Sequence, residues 1–181
     1  MLVYMFLADG FEETEALVPL DLLRRAGAEA VTVSVSGNRT VTGSHGIRVE
    51  ADILPEKARF SECAAVILPG GGKGTENLSA SALVRRTVTE AAERNALVCA
   101  ICAAPTVLAE LGLLAGKKAV CFPSMTDRLT GAVVSDAPVV RDGNIITARG
   151  MGVSYEFGLT VAAALFGENT AAGLRASTCG I

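Results

Sequence analysis

The sequence predicts an α/β fold: a mostly parallel central sheet with helices on both faces. Three observations carry that prediction. Short, almost wholly apolar runs at Leu2–Ala8, Ala64–Leu68 and Leu97–Ile101 read as strands buried on both sides. Longer stretches between them place apolar residues at helical spacing. The runs end at Asp9-Gly10, Pro69–Gly74 and Cys102, so the breaks collect on the carboxyl rim, where such sheets bind ligands.

Taken in order, Phe11–Ala26 reads as the first helix. Glu12, Glu13 and Glu15 near its start and Arg24 and Arg25 at its end suit the helix dipole, and Gly27 stops it. Pro19 inside this run predicts a kink or a break. Glu29–Ser36 alternates as a second strand. Thr40–Val49 reads as a hairpin or small lobe with a glycine-rich tip, and it carries His45, the one histidine. A helix is expected from about Ser81 to Arg94, with Leu83, Val84, Val88, Ala91 and Ala92 turned inward. Ala119–Phe122 reads as a short strand, and Val139–Ile146 as a hairpin turning at Asp142-Gly143, a pair that suits a type I′ turn. Val153–Phe166 reads as a long helix and Glu168–Ala176 as a short last one. No repeat or linker divides the chain, so one domain over residues 1–181 is expected.

Composition removes several function classes. The 181 residues are 50% hydrophobic and 19% charged, with a net charge of −3. No basic cluster marks a nucleic-acid footprint. No apolar run approaches a membrane span, and Leu2–Ala8 is too short for a signal sequence. A cytoplasmic protein is expected, with its five cysteines reduced.

The chemistry centres on Ala96–Leu111. Pro105 fits a first helical turn, so Cys102 falls on a sharp junction from strand to helix. Free N–H groups at a helix start favour thiolate over thiol. A nucleophilic Cys102 is weighed there against a small buried core cysteine. Gly71 and Ala103 are placed to supply the two amides of an oxyanion hole. Gly70–Thr75 fits neither spacing of the nucleotide-binding glycine motifs. The single histidine does not neighbour the elbow, which disfavours a Cys-His triad. Glu15, one turn into the first helix, is the candidate carboxyl partner, whereas Glu12 and Glu13 read as a solvated helix start. Cys99 lies inside the strand, so packing rather than a disulfide with Cys102 is expected. No metal-ligand spacing is present, and neither a metal nor a cofactor is expected.

With these residues in place, the chain resembles the ThiJ/PfpI superfamily, and most of all the branch of the parkinsonism-associated protein deglycase (DJ-one) and its bacterial relatives. The matching motifs are Ala8–Ala16, Pro19–Gly27, Leu68–Gly71, Ala100–Pro105 and Thr147–Gly150, in order across nearly the whole chain. The resemblance implies a flavodoxin-like three-layer sandwich, similar to the class I glutamine amidotransferases, and a homodimer. It implies Cys102 as an oxidation-sensitive nucleophile, Glu15 as its partner, and oxyanion-hole roles for Gly71 and Ala103. It also implies substrate-binding roles for Gly70, Arg25 and His45. The chain departs from the pattern in three places. Phe122 stands where animal members tend to carry histidine, His45 where they carry arginine, and Met151 where a proline is usual.

A cofactor-free cysteine enzyme acting on 2-oxoaldehydes or their adducts is therefore expected, of glyoxalase or deglycase type. The alternative is a redox-sensing stress protein or chaperone that uses the same thiol. A small amidase is the weaker third reading, because amide leaving groups need a proton donor that the missing histidine would have supplied.

Overall fold

The structure, a computed structural model, describes residues 1–179. Six strands make the central sheet: β1 (Leu2–Leu7), β2 (Glu29–Ser34), β5 (Ala65–Leu68), β6 (Leu97–Ile101), β9 (Val139–Asp142) and β10 (Ile145–Ala148), in the order β2-β1-β5-β6-β10-β9. All neighbours are parallel except the β9–β10 hairpin. Two short sheets stand apart. One is the antiparallel pair β3 (Thr40–Thr42) and β4 (Arg48–Glu50); the other joins β7 (Lys118–Ala119) to β8 (Val133–Val134).

Side-chain alternation along the strands builds two cores. Val3, Met5 and Leu7 of β1 pack with Cys99, Ile101 and Phe157 on one face, under α1 (Glu13–Arg25), α5 (Ser154–Phe166) and α6 (Glu168–Ser177). Tyr4, Phe6, Val98 and Ala100 pack on the other, under α2 (Gly72–Ala80), α3 (Ala82–Glu93) and α4 (Pro105–Glu110). This is the flavodoxin-like sandwich expected. Cys99 is fully buried in the first core, as its expected packing role requires.

Four local expectations are corrected. Pro19 does not break α1, which runs unbroken from Glu13 to Arg25; Pro19 is buried at the point where α1 meets α5. A helix, α2, begins at Gly72, inside what reads as a loop. Its glycines are poor helix formers, but Gly74 must pass against the backbone of Gly10 and Phe11, where a Cβ would come within 2.7 Å of Phe11. The strand after Lys117 is only two residues long and lies outside the main sheet. The hairpin turns at Gly143-Asn144, one residue later than expected. Only Gly143 has a positive φ, +63°, which excludes type I′.

The α1–α5 contact rests on Gly158. A Cβ there would sit 2.7 Å from Leu22 Cδ1 and 3.0 Å from the Pro19 Cα. In α6, by contrast, a Cβ on Gly173 would meet nothing within 4 Å. Gly173→Ala is therefore expected to stabilise the protein by about 0.5–1 kcal/mol through helix propensity. Gly158→Ala is expected to destabilise it by about 1–3 kcal/mol through overpacking. Urea unfolding of the two variants reads both signs.

Candidate active site

Cys102 occupies the turn between β6 and α4 with φ +64°, in the left-handed region that a side chain normally avoids at a cost of about 1–3 kcal/mol. Two backbone hydrogen bonds hold it there. Its N–H donates to the Ala148 carbonyl (2.9 Å), and its own carbonyl accepts from the Phe122 N–H (2.8 Å). Pro105 follows at the first turn of α4, as the sequence predicts. The side chain is thereby lifted to the carboxyl rim of the sheet, half-buried rather than sealed.

Glu15 reaches the same point from α1. Glu12 caps that helix by accepting the Glu15 N–H at 2.7 Å, which fixes where the first turn begins. The Glu15 side chain is fully buried. Its Oε2 accepts the Gly70 N–H at 2.9 Å, its buried Oε1 has no hydrogen-bond partner, and the carboxyl is close enough to the Cys102 thiol for the two to influence each other's ionisation. The backbone N–H groups of Gly71 and Ala103 lie near the Cys102 sulfur and favour its thiolate. Gly71 holds φ +87° at the cap of α2, and any Cβ on it would collide with the Gly10 carbonyl and the Glu12 N–H.

The two acids are tuned together. Burial raises Glu15 to about 7, against the hydrogen bonds from Cys102 and Gly70 and with help from the nearby Glu12 charge. Burial first, and then the Glu15 charge, push the Cys102 thiol up to about 12, while the Gly71 and Ala103 amides pull it back. The expectation that the turn alone favours thiolate is thus corrected: the amides act in that direction and are outweighed. Near neutral pH the pair gives up one proton and keeps the other.

The structure separates the remaining candidates. The Gly70 N–H is taken by the Glu15 carboxyl, which it holds in place. A Cβ at Gly70 would strike Glu15 Oε2 and lie 2.7 Å from the Cys102 Cβ. Within one chain Arg25 is not brought to the site; the family pattern matches it, like His45, to arginines that reach toward the pocket of the other subunit. Arg25 pairs with Asp21 at 2.7 Å, about 15 Å along α1 from Glu15 at roughly 1.5 Å per residue. His45 is exposed, with its Nδ1 2.9 Å from Glu13 Oε2. Glu13, read as solvated, is only 5% exposed. Burial alone would raise it, but the His45 ring, the His45 N–H (2.7 Å) and the Ser44 hydroxyl (3.2 Å) hold it down to about 2. It fastens the tip of the β3–β4 lobe to α1; the signal was its spacing two residues before Glu15. Among the described residues, Glu12, Glu13 and His45 bring ligand-type atoms within 4.8 Å of one another, but those carboxylates already serve the cap and the lobe.

An exposed rim completes the site. Phe122 and Met151 are large apolar side chains, 45% and 54% exposed, on either side of Gly150. A Cβ on Gly150 would lie 3.9 Å from both Cys102 Sγ and Glu15 Oε1, and 3.5 Å from Phe122 Cδ2. Sequence reasoning singled out Phe122 and Met151 only as departures from a pattern.

Fold and site together define a flavodoxin-like α/β protein with a cysteine on a strand-to-helix elbow, facing a buried carboxyl. A family model described as the DJ-1/PfpI family matches residues 1–164, and the chain belongs to that family. Protein dj-1beta of Drosophila melanogaster is 37% identical over 166 residues, covering 91% of this chain and 89% of that protein. Its crystal structure superposes with a TM-score of 0.94 at 34% identity, over 99% and 98% of the two chains. A protein named deglycase from Pyrococcus horikoshii is 32% identical over 154 residues, 82% of this chain and 90% of its own. Oxidised DJ-1 from Toxoplasma gondii matches with a TM-score of 0.94 and 33% identity, over 99% and 98% of the chains. No helix among the described residues is long and apolar enough to cross a membrane.

The buried Glu15 has a stability signature. Its folded pKa of about 7 exceeds the ordinary 4.5, so the folded state holds the proton more tightly. Its contribution is therefore full below about pH 4.5 and is lost as pH rises through about 7, a loss of about 3 kcal/mol. Glu15→Gln, which keeps the shape without the charge, is expected to overtake the wild type in urea unfolding at pH 8. The difference should shrink toward pH 4.5; a gap independent of pH would contradict the assigned burial.

Proposed function

We propose that the chain is a cysteine enzyme acting on small 2-oxoaldehydes or their adducts, as a glutathione-independent glyoxalase or deglycase. The observation that carries this reading is the convergence on one sulfur of a buried, proton-holding carboxyl and two backbone amides. Its naming support is the Pyrococcus relative called a deglycase.

Chemically, the proton shared by the pair moves to Glu15 as the Cys102 sulfur adds to the aldehyde carbon. A carbon–sulfur bond forms, and the carbonyl oxygen becomes an alkoxide facing the Gly71 and Ala103 amides. Once that oxygen is protonated by Glu15, the carboxylate takes the hydrogen from the aldehyde carbon and returns it to the neighbouring ketone carbon through an enediol, while the hydroxyl proton passes from the former aldehyde oxygen to the former ketone oxygen. The aldehyde carbon is oxidised and the ketone carbon reduced, so no external oxidant enters. Water then cleaves the resulting 2-hydroxyacyl thioester, releasing the hydroxy acid and restoring the thiol.

In this scheme the reactive form is the pair carrying a single proton. The rate constant kcat/KM is expected to rise with pH up to about 7, where the Cys102–Glu15 pair loses the first of its two protons, and then level off. Cys102→Ser should abolish hydroxy-acid formation, and Glu15→Gln should cost about 10²–10⁴-fold and remove the pH step. Methylglyoxal consumption with chiral lactate detection, without glutathione, tests all three; a Cys102→Ser variant with most of its activity intact sinks the mechanism.

A second reading is favoured by one observation, the oxidised state in which the Toxoplasma relative was solved. In that reading Cys102 is a redox sensor. Cys63, Cys99 and Cys121 are buried, whereas Cys102 is half-buried and Cys179 exposed. Selective peroxide oxidation of Cys102 ahead of Cys179, with a gain in protection of client proteins from aggregation, is expected if sensing is the function. Peptide mapping after graded peroxide reads that order, and oxidation of Cys179 first would remove the support.

A homodimer is part of the proposal. Leu17 on α1 and Ile47 on the adjoining lobe are 37% and 54% exposed, and they offer apolar surface for a second copy.

A further inference from the structure

Resting on the aldehyde reading, the geometry points to an apolar subsite formed by Phe122 and Met151 that selects 2-oxoaldehydes bearing an aryl or long alkyl group. The environment of the sulfur sets the direction. The Gly71 and Ala103 amides take the oxygen of the aldehyde carbon, and Glu15 takes the side from which protons move. The remaining substituent, the acyl group carrying the ketone, must leave along the open side. That side is Gly150, whose missing side chain would have stood 3.9 Å from the sulfur and 3.5 Å from the Phe122 ring.

Beyond Gly150 lies an open shelf of about 380 Å³, apolar where Phe122, Pro123, Met151 and Val153 line it and bordered also by Arg149. The Phe122 backbone is fixed beside the site, because its N–H is bonded to the Cys102 carbonyl at 2.8 Å. A ring or alkyl chain there covers two side chains that are otherwise half in water. Against Phe122 and Met151 a polar substituent would lose water and gain no hydrogen bond from either side chain, so that part of the shelf favours an apolar one; Arg149 borders the shelf as its one charged side chain. A methyl group is too short to use the shelf. The subsite therefore separates phenylglyoxal from methylglyoxal by binding, while the sulfur, Glu15 and the amides treat their reacting carbons alike.

The test compares phenylglyoxal and methylglyoxal kinetics in wild type, Phe122→Ala, Phe122→Leu and Met151→Ala, with mandelate or lactate as the product detected. Phe122→Ala and Met151→Ala are each expected to lower kcat/KM for phenylglyoxal about ten-fold or more, mainly through KM, and to leave methylglyoxal within about three-fold. Phe122→Leu, which keeps apolar surface, should retain most of the phenylglyoxal rate. An equal fall for both substrates, or no fall for either, overturns the subsite while leaving the enzyme reading intact. If the wild type turns over neither aldehyde, the enzyme reading itself fails. Calorimetric titration with mandelate and lactate then decides the subsite alone: tighter mandelate binding that Phe122→Ala abolishes supports it, and equal binding overturns it.

Discussion

A carboxyl group with no exposed surface lies against the Cys102 thiol, held by a single N–H from Gly70. Sealing a charged carboxylate away from water costs several kcal/mol unless hydrogen bonds replace the lost solvent. One amide is not enough, so Glu15 holds its proton to about pH 7. The rest of the rim is arranged around that compromise. Glu12 sets the first turn of α1 so that Glu15 turns inward. Gly70 cannot carry a side chain, because it would strike the carboxyl it serves.

The same constraint explains why three segments meet without side chains between them. The β1–α1 turn and the β5–α2 turn approach closely enough that Gly71 and Gly74 would each collide with the Gly10–Glu12 backbone if they carried a Cβ. That approach brings the Gly71 amide over the sulfur and the Gly70 amide under the carboxyl. The elbow then closes the third side: the strain at Cys102 is held by one bond to β10 and another to Phe122. Site geometry and tight packing of the rim are one arrangement, since loosening any of these glycines moves an amide away from its atom.

Much of this was legible in the sequence because it depends on local pattern. Leu97–Ile101 is a strand over its predicted span, since five consecutive apolar residues between polar breaks have few alternatives. Pro105 marked the start of α4, and so placed Cys102 on the turn. The α2 helix was hidden because propensity argues against a helix starting Gly-Lys-Gly; its glycines answer to packing against Phe11, a contact no window of sequence contains. The spent amide of Gly70 was hidden for the same reason, since its partner lies on another element. The separation of Arg25 from the site of its own chain follows from helix length alone.

Glu13 and Glu15 show most directly that burial alone does not decide what a carboxyl does. Both are buried in the first turn of α1, two residues apart. Glu13 accepts from the His45 N–H, the His45 ring and the Ser44 hydroxyl, and is held down to about 2. Glu15 accepts from one backbone amide and faces a thiol, and is raised to about 7. The number of donors separates them, and with it their uses. A carboxylate satisfied three times over is a fixed anion that can anchor a loop but cannot trade protons near neutrality. One left with a single donor beside a sulfur is unstable as an anion and incomplete as an acid. That is the condition under which a carboxyl can pass a proton back and forth during a reaction. The helix thus carries within one turn an acid fixed as an anion and an acid that exchanges its proton near neutrality, and the β3–β4 lobe, by supplying donors to the first and none to the second, sets which is which.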